Sequence, residues 1–260
     1  MRGTKIQISK HIYVSSQIQE PTTFAFVSDI HLFPNQYINA TINEINPDAV
    51  LVGGDFIQSK SDTSSGLEFL SSVSVSWPVF CSSGKEHDFH DELIHQIEST
   101  GAVFLRNQHV TFRRIHLGGM NTIPLMGKTH EEKEKWIELN KAWLEHFSKL
   151  QGYKLLLCHH PEYYDMFIKK YDVDLIVSGH AHGGQIRLLH RGLWAPGQGW
   201  FPKYSSGLYD ERLLVGRGLG NVYRSPRINN RPEVLEIHLM PCEDMLYDKN
   251  ISHQIIEAKE

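Results

Sequence analysis

The chain has 260 residues and a formal net charge of -4, so it lacks the basic excess typical of nucleic-acid-binding proteins. Hydrophobic residues make up 40% and charged residues 22%, which favours an ordinary globular domain over a disordered chain. The length fits one α/β domain, and because no linker-like stretch divides the chain we predict a single domain over residues 1–260. The 16 histidines are an unusually large number and suggest metal ligands.

The cysteines bear on the compartment. Cys81, Cys158 and Cys242 are odd in number and lack zinc-like spacing, so a disulfide framework is not expected. A reducing compartment, the cytoplasm, is therefore predicted. Residues 1–10 carry charges and no apolar stretch, so no signal peptide is expected. No segment approaches the roughly 18 consecutive apolar residues of a membrane span.

Strand and helix signals alternate along the chain. Strands are predicted over 22–27, 49–52, 79–81, 154–157, 175–177, 213–215 and 234–239. Helices are predicted over 37–45, 67–73 and 129–150. This alternation indicates an α/β protein with a parallel or mixed sheet covered by helices.

Polar, metal-capable residues follow five of the predicted strands. These sets are Asp29-Ile-His31, Gly54-Asp55, Gly84-Lys-Glu-His87-Asp88, His159, and Gly179-His-Ala-His182. In an open α/β sheet, ligands bind beyond the carboxyl ends of the strands. If all five strands belong to one sheet, these side chains surround a single crevice.

The residue types in these sets suit a pair of metal ions. Two carboxylates and several imidazoles fit Mn, Fe, Zn or Ni better than Ca or Mg, which prefer shells made mostly of oxygen. The absence of thiolates argues against a structural zinc site. A carboxylate such as Asp55 can bridge two ions about 3.5–4 Å apart, which is the spacing of two-metal hydrolases.

The five sets, in this order, resemble the motifs of the calcineurin-like metallophosphoesterases. Gly179-His-Ala-His-Gly-Gly-Gln-Ile186, followed by Ala195-Pro-Gly-Gln-Gly199, is similar to a bacterial branch of the YkuE and YaeI type. The resemblance covers roughly residues 22–239. It implies a four-layer α/β/β/α sandwich with two mixed β-sheets. It also implies hydrolysis of a phosphate ester or anhydride by a metal-bridging hydroxide.

The resemblance also implies a role for each motif residue. One metal would be held by Asp29, His31, Asp55 and His182, and the other by Asp55, His159, His180 and a residue of the third set. His87 would be the catalytic histidine that is not a ligand. His160 is a rival to its neighbour His159, and the resemblance selects His159.

The third set departs from the family pattern, Gly-Asn-His, because this chain has Gly84-Lys-Glu-His87. Glu86 is predicted to replace the neutral Asn as a metal ligand. Alternatively, Glu86 faces solvent and the second metal is weak or missing. As a ligand, Glu86 would add a negative charge and disfavour dianionic substrates, so a diester or pyrophosphate is the predicted substrate. Lys85 either offsets that charge or is solvated.

Two further features lie nearer the C-terminus. Among the arginines at 217, 224, 227 and 231, Arg217 is the preferred phosphate-binding candidate, because it follows a predicted strand and is flanked by glycines. A solvated basic face is the alternative. The aromatic segment 194–204 is a substrate wall, a surface for lipid, or ordinary packing under a long loop.

The substrate is predicted to be a phosphorylated small molecule or lipid, with no obligate protein partner. Two rival functions remain open. One is a peripheral membrane enzyme, at the inner face of the membrane, that acts on a phospholipid or lipid-linked pyrophosphate. The other is a module that binds metal or a phospho-ligand but has lost catalysis.

Overall fold

The structure, a computed structural model, describes residues 5–57, 62–84, 90–122, 129–188, 191–221 and 226–242. Glu86 and His87 lie outside these residues. The strands are β1 Gln7–Ser15, β2 Thr22–Val27, β3 Ala49–Val52, β4 Val79–Ser82, β5 Val103–Leu105, β6 Gln108–Phe112, β7 Ile115–Gly119, β8 Lys154–Leu157, β9 Leu175–Ser178, β10 Arg187–Leu188, β11 Arg191–Gly192, β12 Trp194–Ala195, β13 Gly199–Trp200, β14 Gly207–Tyr209, β15 Leu213–Val215 and β16 Glu233–Pro241.

Helices connect many of these strands. They are α1 Asn35–Ile45, α2 Ser64–Ser74, α3 Asp91–Ser99, α4 His130–Phe147 and α5 Tyr163–Met166, with 3₁₀ turns at Ile168–Lys170 and His182–Gly184. A reciprocal cap between Thr129 and Glu132 fixes the start of α4, because each side chain accepts a hydrogen bond from the backbone N–H of the other residue. No helix in the described part of the chain is long and apolar enough to cross a membrane.

Most of the described strands belong to two six-stranded mixed sheets. The first has the order β1-β16-β2-β3-β4-β5, and all its neighbours are parallel except β16 and β2. The second has the order β14-β15-β9-β8-β7-β6, with antiparallel pairs at both edges. Two short hairpins, β10–β11 and β12–β13, follow the second sheet's central strands along the chain.

The sheets stack face to face, with helices on both outer faces. Successive side chains of a strand point to opposite faces. In β3, Val50 packs in the core beneath α1 to α3, whereas Leu51 packs between the sheets. In β8, Leu155 lies between the sheets and Leu156 lies in the core beneath α4. These three cores separate four layers and confirm the predicted α/β/β/α sandwich.

The strands before the five polar sets are divided between the two sheets. The strands that precede the five polar sets do not share one sheet: β2, β3 and β4 belong to the first, and β8 and β9 to the second. Because both faces of these strands are buried, each is an apolar run in the sequence. Such a run does not show to which sheet the strand belongs. The four sets that the structure describes in full nevertheless converge, because the strand ends of the two stacked sheets meet at one edge of the sandwich.

Candidate metal centre

Six predicted metal ligands come together where the two sheets meet. Asp29 and His31 follow β2, Asp55 follows β3, His159 follows β8, and His180 and His182 follow β9. All are buried except His31, which is partly exposed. The first sheet thus supplies both carboxylates, and the second supplies three of the four imidazoles.

Five of these residues adopt a backbone conformation that side chains rarely take. The φ angles are 51° at Asp29, 48° at His31, 49° at Asp55, 64° at His180 and 46° at His182. Such a conformation costs on the order of 1–3 kcal/mol per residue and persists only where the surroundings enforce it. Because five such residues lie together here, the surrounding fold must offset their strain, and it directs their side chains inward.

Two glycines make the close approach possible. A Cβ on Gly54, which has a φ of 90°, would lie 2.5 Å from Cα of Gly84 and 2.6 Å from Nδ1 of His159. A Cβ on Gly179 would lie 2.6 Å from Oδ2 of Asp29. All three distances are far inside van der Waals contact, so any side chain at these positions would push a ligand away.

Backbone carbonyls orient two of the imidazoles. Nδ1 of His159 lies 2.7 Å from the carbonyl oxygen of Gly53, and Nδ1 of His182 lies 3.2 Å from that of Gly220. When Nδ1 donates to these carbonyls, Nε2 is left with a lone pair for a metal. Nε2 of His159 and Nε2 of His31 are buried without a hydrogen-bond partner among the described residues, as expected of atoms placed for an ion.

Both carboxylates are held in the ionised form. Burial raises the pKa of Asp29, but His182, His159 and His31 outweigh it and keep that pKa well below its usual range. Burial likewise raises the pKa of Asp55, and His159 outweighs it, so the net shift is again downward. The site therefore holds two buried negative charges in the metal-free protein, which favours occupation by cations.

The imidazoles differ in their protonation. Burial lowers the pKa of His159, but Asp55 outweighs it and raises that pKa to about 9. Burial lowers the pKa of His31 and lowers that of His180 well below the ordinary value. His31 and His180 are thus neutral and ready to bind a metal, whereas a cation must displace the proton of His159.

The possible ligand atoms form overlapping groups. Asp29, His31 and His182 can each offer one atom within 4.8 Å of the others. The same holds for Asp29, Asp55 and His159, and for His159, His160 and His180. The group of Asp29, His31 and His182 lies within the predicted ligand set of one metal. The group of His159, His160 and His180 contains two predicted ligands of the other metal, His159 and His180. Burial raises the pKa of the adjacent Cys158 thiol, and Cys158 is in none of these groups.

Arg217 and Arg227 have different surroundings. The guanidinium of Arg217 is turned to Glu233, with Nη2 3.3 Å from Oε1. Arg227 lies beside the metal ligands: its Nε donates to the carbonyl of Gly220, the group that also faces Nδ1 of His182. Burial lowers the pKa of Arg227 to about 10. From the sequence, Arg227 was only one of four arginines in a basic run. No neighbouring residue indicates that its side chain is buried.

Relatives support the class of protein. Residues 22–184, more than half of the chain, match the family model described as calcineurin-like phosphoesterase. The uncharacterized protein YpbG of Bacillus subtilis is 27% identical over 82% of this chain and 79% of its own length. The phosphodiesterase YaeI of Escherichia coli is 27% identical over 85% and 83%. The uncharacterized metallophosphoesterase YkuE of Bacillus subtilis is 27% identical over 75% and 68%.

The fold, the aspartate and histidine cluster and the family match agree. The chain belongs to the calcineurin-like phosphoesterase family and is a metal-dependent phosphohydrolase. Among its relatives are the bacterial metallophosphoesterases whose motifs it was predicted to share.

Proposed function

We propose that the protein is a binuclear phosphodiesterase or pyrophosphohydrolase. The observation that carries the proposal is the overlap of the ligand groups, in which Asp29 and Asp55 lie among imidazoles from both sheets. Oδ2 of Asp55 lies 3.8 Å from Nε2 of His31 and 3.6 Å from Nε2 of His159. A carboxylate between two sets of imidazoles suits a bridge between two ions.

The residues divide into two proposed sites. Asp29, His31, Asp55 and His182 would hold one ion, and Asp55, His159, His180 and Glu86 the other. Two divalent ions held there would supply an activated water at neutral pH and positive charge beside the transferring phosphoryl group. With two carboxylates and four imidazoles, Mn, Fe, Zn and Ni fit better than Ca or Mg.

The protein's own groups would supply positioning and proton transfer. Gly53 and Gly220 hold the rings of His159 and His182 through their carbonyls, so the ligand nitrogens stay aimed without reorganisation. His87 would donate a proton or hydrogen bond to the leaving oxygen. Arg217 stays a predicted phosphate contact, although Glu233 holds it in the described structure.

The test is hydrolysis by metal-loaded protein. Bis(p-nitrophenyl) phosphate and p-nitrophenyl phosphate release the same coloured product, so one assay compares a diester with a monoester. Turnover of the diester that is lost on chelation and restored by Mn or Fe would support the proposal. Absence of turnover from protein that carries two ions would favour the rival binding module.

One observation favours a second candidate, hydrolysis of a lipid-linked substrate at a membrane surface. Trp200 and Phe201 are 73% and 76% exposed, and their hairpin contacts the turn that carries His182. In co-sedimentation with vesicles of phosphatidylcholine and phosphatidylglycerol (3:1), Trp200→Ser and Phe201→Ser together should reduce binding. Leu139→Ser, at another exposed apolar position, is the control. Equal recovery of all three proteins would rule this candidate out.

A further inference from the structure

His160 occupies a position that the family motif leaves unused. It follows His159 in the loop after β8, and only 1% of its surface is exposed. Its ring centroid is 3.9 Å from that of His180 and 4.9 Å from that of Tyr163, on which it stacks. An imidazole buried this completely needs partners for its nitrogens.

One nitrogen of His160 has a partner and the other has none. Nδ1 lies 3.0 Å from Oε1 of Glu162. Nε2 is buried with no hydrogen-bond partner among the residues that the structure describes. When Nδ1 donates to the carboxylate, Nε2 keeps its lone pair. Because that lone pair is buried, it needs a partner, and a metal ion can supply one.

Glu162 also lies near a second imidazole. Its Oε1 also lies 3.9 Å from Nε2 of His180. A carboxylate behind a metal-bound histidine is a recurrent arrangement that fixes the tautomer and raises the basicity of the ligand. Glu162 holds this position behind His160, whereas its distance to His180 is too long for a hydrogen bond.

A second loop leaves room for this carboxylate. Gly197 belongs to the Ala195-Pro-Gly-Gln-Gly199 stretch, whose role the motif match left open. A Cβ on Gly197 would lie 2.3 Å from Oε1 of Glu162 and 3.3 Å from Nε2 of His180. With a φ of 72°, this position also favours glycine through its backbone. Residues 195–199 can therefore pack over the Glu162 carboxylate without displacing it.

Resting on the proposed binuclear function, we propose that His160 is a third imidazole ligand of the second ion, oriented by Glu162. One ring nitrogen from each of His159, His160 and His180 lies within 4.8 Å of the other two. A second ion with three imidazoles among its ligands favours Zn, Ni or Co over Mn or Mg.

Metal binding tests the assignment directly. Metal-free protein is dialysed against graded Co²⁺, and the bound metal is counted by mass spectrometry. The wild type should bind two ions. His160→Gln should weaken the second by at least 10-fold, and Glu162→Gln by about 10-fold, at the lower end for a group behind a ligand. His95→Gln, an 81% exposed histidine on α3, should leave both dissociation constants unchanged.

A second measurement needs no substitution. Wild-type protein labelled with ¹⁵N-histidine and loaded with ¹¹³Cd should show five imidazoles coupled to cadmium. Four coupled imidazoles would overturn the assignment of His160 but not the binuclear function. An unchanged second dissociation constant in folded His160→Gln would do the same. A wild type that binds fewer than two ions would instead contradict the binuclear function, and the role of His160 would fall with it.

Discussion

Nε2 of His182 lies 3.2 Å from Oδ1 of Asp29, although the two residues follow strands of different sheets. The same carboxylate accepts the backbone N–H of His180 at 3.1 Å. Asp29 therefore ties the end of β2 to the turn after β9, and the metal centre also joins the two halves of the sandwich. Its residues should consequently influence stability as well as activity.

Metal content is the first property to measure. Asp55→Asn should weaken both ions, because Asp55 lies between the two sets of imidazoles, whereas His182→Ala should affect mainly one. Elemental analysis after metal loading gives the stoichiometry, and Asp210→Asn, a carboxylate paired with Lys169 away from the site, is the control. A single ion in the loaded wild type would contradict the binuclear proposal.

His87→Ala should lower turnover by about 10²–10⁴-fold, the usual range for loss of a general acid or base. Metal content should stay intact, since His87 is predicted to be close to the ions without binding them. The comparison is the steady-state rate at full metal loading, with His95→Ala as the control. A wild-type rate in fully loaded His87→Ala would exclude the assigned role.

Glu86→Asn should raise monoester hydrolysis relative to diester hydrolysis. A monoester brings close to two negative charges at neutral pH, so a third carboxylate at the ions should disfavour it most. The ratio of the two rates, at full metal loading, measures the effect. Glu92→Gln removes one charge from an exposed position on α3 and should not change the ratio. If the ratio stays fixed in Glu86→Asn as well, Glu86 is not a charged ligand.

Gly54→Ala should destabilise the protein by about 2–5 kcal/mol, because it adds a steric clash with Gly84 and His159 to the strain of a positive φ. Gly207 is a matched control, since its φ is 91° but an added Cβ would meet nothing within 4 Å. Gly207→Ala should cost only about 1–2 kcal/mol. Urea unfolding of both variants separates strain from clash, and equal losses would show that the clash relaxes.

Removal of the metals should lower the stability of the folded state. Each ion at 100 times its dissociation constant stabilises the protein by about 2.7 kcal/mol if it does not bind the unfolded chain. Thermal unfolding with and without a chelator measures this difference. In Asp29→Asn the difference should shrink, because the carboxylate that faces His182 is lost. A midpoint insensitive to the chelator would argue against tightly bound ions.

Much of the sandwich could be predicted from the sequence. Strands β3 and β8 have the predicted bounds because each is a short apolar run between turn residues. Strand β1 was missed because it lies at a sheet edge, is only partly buried, and mixes Lys10 and His11 with apolar residues. Helix α3 was missed because its nine residues bury little more than Leu93 and Ile97.

The centre shows the same division between local and long-range information. Motif spacing predicted the convergence of Asp29, Asp55 and His182, because each follows a strand that the apolar pattern reveals. Motif spacing could not predict that Glu162 faces two histidines beneath Gly197, because that contact depends on how distant loops pack. For the same reason the sequence could not show that Arg217 faces Glu233 or that Arg227 lies beside the ligands.

The placement of β16 between β1 and β2 has a consequence for synthesis on the ribosome. Strand β2 finds its antiparallel partner only after residue 233 has been made, about 10–40 s after residue 27 at 5–20 residues per second. During that interval β1 and β2 each lack the neighbour that later joins them. The nascent chain therefore carries unpaired strand edges beside the segment that bears Asp29, which is where a chaperone would have most to shield.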